Sequence, residues 1–131
     1  MKLFTALVAL FFATAAFANH EHNHMTIGER TEDVINILVC DTEDQMMSVI
    51  KTHENLGEQA SLGVLRGYQL RRNNLGESLC GMLQFRIEVK RIVYKADLTF
   101  EKYGEKEIIV AEILAGVRTF YAAIGDFDIT E

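Results

Sequence analysis

The spacing of apolar positions changes along this chain, and each change predicts an element. Val34 to Val39 is an apolar run broken only by Asn36, short enough to suit a buried strand better than a helix. Thr42-Glu43-Asp44-Gln45 follows and matches a capping box: the Thr42 hydroxyl can take an early helix N–H, and Gln45 can reach back. Glu43 and Asp44 place negative charge in the first turn, where the helix dipole favours it. Behind this cap Met46, Val49, Ile50, His53 and Leu56 recur at helical spacing, and Gly57 is predicted to end the helix. A second helix is predicted over Glu58 to Asn73, with Ala60, Val64 and Tyr68 four apart and Leu65 widening the stripe. Gly63 and Gly67 each cost that helix about 1 kcal/mol against alanine. Asn73-Asn74-Leu75-Gly76 reads as a turn.

After Cys80-Gly81 the period becomes two. Leu83, Phe85, Ile87 and Val89 alternate with Gln84, Arg86, Glu88 and Lys90, and then Ile92, Tyr94, Ala96, Leu98 and Phe100 continue in the opposite phase. A slip of one residue turns every side chain to the other face, so a bulge or bend is predicted near Lys90-Arg91. Tyr103-Gly104-Glu105-Lys106 is a hairpin signal, Ile108 to Leu114 the next strand, Gly116 a break, and Thr119 to Ile124 a short last strand before an acidic tail. The order predicts an α+β fold: one strand, two helices, then a three- to four-stranded mainly antiparallel sheet. This single domain is placed at residues 34–131, behind a flexible His-containing arm at 19–33 and a leader at 1–18.

The leader is a signal-peptide pattern. Lys2 supplies the positive start, Leu3 to Phe12 the apolar run, and Ala16-Phe17-Ala18 the small-x-small cleavage site. A membrane anchor needs about 20 apolar residues, and this run is shorter and ends in alanines. Cleavage after Ala18 would leave 113 of the 131 residues, enough for one small core. Loss of Lys2 takes the formal charge from −6 to −7. That balance argues against nucleic-acid binding, which calls for a basic face, and no later segment is apolar enough for a stable membrane span. The expected location is periplasmic or secreted.

In an exported chain the two cysteines, Cys40 and Cys80, read as one disulfide. The bridge closes a loop of 41 residues, Cys40 to Cys80 inclusive, for which chain entropy assigns about 4 kcal/mol. A free catalytic thiol would instead need a base and an electropositive setting, whereas Asp41 and Gly81 are the neighbours.

Other candidate chemistry is sparse. Asn19-His20-Glu21-His22-Asn23-His24-Met25 would project His20, His22 and His24 to one side when extended, with a thioether beside them. Imidazole suits Cu, Zn or Ni, and a thioether favours Cu(I), so these residues and Met25 form a candidate metal set. A free arm, however, lacks the preorganised ligands of a closed site. His53 lies on the apolar stripe of the first helix, where a hydrogen-bonded core histidine is expected; Ser48, Ser61 and Ser78 carry no nucleophile motif. The carboxylates are dispersed, without HExxH or metal-loop spacing. Arg66, Arg71 and Arg72 cluster near the end of the second helix, a solvated face that complements its C-terminus.

The apolar strand, the Cys40-Asp41-Thr42-x-x-Gln45 helix start and the downstream Cys80-Gly81 together resemble small exported bacterial proteins of unknown function. The matching stretch runs from about Val34 to Phe85. This resemblance implies a compartment and an architecture, and no reaction, cofactor or catalytic residue. The function expected is that of a small non-enzymatic binding or interaction protein, with an envelope or extracellular protein or a small ligand as partner. The alternative is a metal-binding protein using the His arm, and the least favoured is a hydrolase whose site is assembled only in the fold.

Overall fold

The computed structural model describes residues 14–15 and 24–130, so most of the predicted leader, and His20 and His22 with it, lie outside the described residues. The chain runs β1 (Thr14–Ala15), β2 (His24–Thr26), β3 (Ile35–Cys40), α1 (Glu43–Leu56), α2 (Glu58–Leu70), β4 (Cys80–Phe85), β5 (Ile87–Phe100), β6 (Gly104–Ala115), β7 (Arg118–Gly125) and β8 (Asp128–Thr130). Five long strands form an antiparallel sheet in the order β4-β3-β7-β6-β5. Beside β7, the start of β3 also pairs with β1. The sheet therefore has more strands than the three or four expected, because β3 joins it rather than standing apart. A separate pair, β2 and β8, runs parallel. No helix among the described residues is long and apolar enough to cross a membrane.

The predicted capping box is present at α1. Thr42 Oγ1 accepts from Gln45 N at 3.2 Å, and Gln45 Oε1 accepts from Thr42 N at 3.0 Å. Gly57 both ends α1 and begins α2 at φ 93°, a left-handed conformation that a side chain would strain. That one residue folds the helices into a hairpin. The second helix stops at Leu70, short of the expected Asn73, because Asn73 is used in the following turn. Its Oδ1 accepts from the backbone N–H of Leu75 and Glu77, which competes with helix continuation.

Both faces of the sheet are buried. The helical hairpin packs Met46, Val49, Ile50 and Leu65 against Leu38, Leu98, Phe100 and Val110. On the opposite face Ile35, Ile37, Ile113 and Phe120 pack with Ile87, Val89 and Met25. Strand β5 serves both cores. Register shifts between Val89 and Arg91 and between Ile92 and Tyr94 turn it over, so Ile87 and Val89 enter one core and Ala96, Leu98 and Phe100 the other. The phase slip in the sequence is this bulge.

The segment expected as a flexible arm is, from His24 onward, part of the fold. Met25 is buried, Gly28 N donates to Val89 O, and Thr31 N donates to Ile87 O. Within the acidic tail, Asp128–Thr130 is likewise a strand, since Ile129 pairs with Met25. Three-residue strands are too short for an apolar period to declare them, and only the pairing makes them strands.

Candidate functional site

Cys40 and Cys80 face each other across β3 and β4 and are joined, with Cα atoms 4.0 Å apart. The bridge is fully buried and closes the loop that contains both helices. It points to a compartment outside the cytoplasm, where disulfides persist. Its close Cα spacing marks a non-hydrogen-bonded pair, and the adjoining Asp41 N–H donating to Leu79 O at 2.9 Å fixes the same phase.

Beside this corner lies a cleft of about 320 Å³. Its floor is Val39, Leu83 and Phe120, and its rim carries Asp41, Glu77 and Arg118. The rim is internally bonded. Arg118 Nη1 donates to both Glu77 oxygens, at 2.8 and 3.1 Å, while its guanidinium lies 4.7 Å from the centre of the Phe120 ring. Asp41 Oδ2 accepts from Asn73 Nδ2 at 2.7 Å, and the Ser78 hydroxyl donates to Gln69 O at 2.8 Å. Gly81 leaves open space where a side chain would stand. The cleft runs along β4, which among the described residues pairs only with β3.

His53 is 4 % exposed, edge-on to Phe100, and its Nε2 lies 2.9 Å from Thr99 O. A carbonyl only accepts, so Nε2 carries the proton in that bond. His53 shares a smaller cleft of about 230 Å³ with Glu54 and Asp97, and no serine lines it. Glu54 there accepts from Tyr94 Oη at 2.8 Å. Ser61 donates to Val49 O inside the helical core, and Ser48 lies in α1.

Of the candidate metal set, His24 and Met25 are described and point to opposite sides of β2. Met25 is in the core, and His24 is exposed with Nε2 3.3 Å from the hydroxyls of Thr26 and Thr130. The strand alternation that buries one exposes the other. Among the described residues no three His, Cys, Asp or Glu side chains converge as ligands. Of the arginine cluster, Arg71 lies over the Tyr68 ring, and Arg72 donates to Ser78 Oγ.

Two polar bridges tie α1 to β5. Lys51 Nζ donates to Tyr94 Oη at 2.8 Å, and the Lys51 amine is held above its ordinary value chiefly by that bond. Arg91 reaches Glu112 at 2.6 Å and Glu43 at 3.2 Å, which raises the guanidinium further above its already high value. The bulges aim Arg91 and Tyr94 at the helix, so this clamp is a consequence of the strand's turn.

The sequence marked the disulfide corner but not the cleft. Glu77, Arg118 and Phe120 come from a loop and from β7, distant along the chain, and only the pairing of β3 with both β4 and β7 gathers them. The local signal available was Cys80 to Phe85 itself, a strand without a charge or proline. No family model matches the chain, and neither curated proteins nor solved structures give a match.

Proposed function

We propose that this chain is a small exported interaction protein, periplasmic or secreted, and that its contact surface is the cleft and free strand edge at the disulfide corner. The observation that carries this reading is an apolar-floored cleft placed directly beside an uncharged edge strand with half-exposed Met82 and Phe85. Edge strands are ordinarily blunted with charge, proline or a covering element, and this one has no charge or proline. The rim's polar groups are held by their own neighbours, as Ser78, Asp41 and Glu77 illustrate, which suits a rigid recognition surface better than a reacting one.

The test is capture from envelope and extracellular extracts by the wild-type chain and by Leu83→Glu, which places a charge on the cleft floor. Capture of a defined partner by wild type and at least a tenfold weaker capture by the variant is expected. No reproducible capture, or equal capture by both, would overturn the reading.

A further inference from the structure

The phase of the β3–β4 pair determines which backbone groups β4 offers outward. Cys40 and Cys80 form a non-hydrogen-bonded pair, so Gly81, Leu83 and Phe85 direct their N–H and C=O groups to β3. Cys80, Met82 and Gln84 direct theirs away from β3. Among the described residues no strand pairs with that side. Met82 and Phe85 are each 45 % exposed, so the open ladder is flanked by apolar side chains.

We propose that β4 pairs antiparallel with β4 of a second copy of this chain, about a two-fold axis at Met82. This deepens the interaction reading above, on which it rests, by naming the partner of that same surface. Only residues whose groups point outward can exchange hydrogen bonds, and the register centred on Met82 is the one that uses all three of them: Met82 meets Met82, and Cys80 meets Gln84, whereas axes at Gly81 or Leu83 use two. The same register sets Leu83 of one copy opposite Gly81 of the other, and Phe85 opposite Leu79. Both incoming side chains lie on the cleft face of the sheet, where Gly81 leaves room. A two-fold pairing uses the edge and the cleft of each copy together, and it closes rather than propagating into a fibre. The opposite edge of the sheet is β5, which carries Lys95, Asp97 and other charges that discourage the same contact. The interface is short, so association at micromolar concentration rather than permanent dimerisation is expected.

The test combines sedimentation velocity with cross-linking of the chain carrying its disulfide intact. Wild type is expected to shift from monomer to dimer as its concentration rises into the micromolar range and above, the weak end for protein interfaces. Gln84→Pro removes an outward N–H and leaves the β3 ladder whole, so it stays monomeric with an unchanged circular dichroism spectrum. Gln84→Lys serves as the second variant should proline disturb the strand. Met82→Cys is expected to form a covalent dimer on mild oxidation, while Lys95→Cys on the opposite edge does not. Wild type that remains monomeric throughout, or Met82→Cys that cross-links no better than Lys95→Cys, would overturn self-pairing. A monomer that still captures a partner through Leu83 would overturn self-pairing alone and leave the interaction surface standing.

Discussion

On one face of the sheet a disulfide-anchored helical hairpin covers Leu38, Cys40 and Phe100; on the other, two three-residue strands and the turned start of β5 cover Ile35, Ile37 and Phe120. The first cover is continuous, capped at Thr42, folded at Gly57 and clamped to β5 through Tyr94 and Arg91. The second is assembled from segments far apart in the chain, and each supplies few apolar side chains, such as Met25 and Ile129. The difference lies in how each cover is held: the helical cover is one continuous, bridged and clamped segment, and the strand cover is held by the pairing of β2 with β8.

The sharpest way to break this contrast is to remove the bridge. Cys40→Ala combined with Cys80→Ala is expected to cost about 4 kcal/mol in urea unfolding, because the open loop then carries the whole helical hairpin. A loss under about 1 kcal/mol would show that the hairpin is held without it.

A paired comparison of the two cores follows. Ile50→Ala, fully buried under the helices, is expected to cost about 4 kcal/mol, and Met25→Ala about 2 kcal/mol, since a three-residue strand can settle into the space left. Equal losses by thermal or urea unfolding would contradict the difference between the faces.

The smallest effect sharpens the clamp. Tyr94→Phe removes the oxygen that holds the Lys51 amine high, so the Lys51 titration, followed by side-chain NMR, should move down toward the ordinary lysine value. The sign follows from linkage. A folded pKa raised above the unfolded one contributes stability below the ordinary value and loses it as pH rises through the raised value. The variant should therefore lose the alkaline part of the wild-type pH dependence. An unmoved titration would remove Tyr94 from the clamp.

The same contrast explains what the sequence made legible. Helical spacing from Met46 to Leu56, the Thr42 cap, the Gly57 stop and the phase slip at Lys90 are local signals, and each corresponds to an observed feature. They describe the helical face and the turn of β5. The other face was hidden because His24–Thr26 and Asp128–Thr130 are strands only by virtue of pairing with each other. Arg86 likewise hid the division of one alternation into two strands, since β4 and β5 lie on opposite edges of the sheet with that single residue between them. The cleft was illegible for a related reason: Glu77 and Arg118 meet only when β3 takes β4 on one side and β7 on the other.

The disulfide corner is therefore both the anchor of the helical face and the place where, among the described residues, the sheet leaves an edge open. Amide hydrogen exchange along β4 tests that claim most directly. Gly81, Leu83 and Phe85 bond to β3 and should exchange slowly at every protein concentration. Met82 and Gln84 should exchange fast in dilute protein and become protected, by tenfold or more, as concentration rises. Met82 and Gln84 amides that stay equally fast at high concentration would contradict the account.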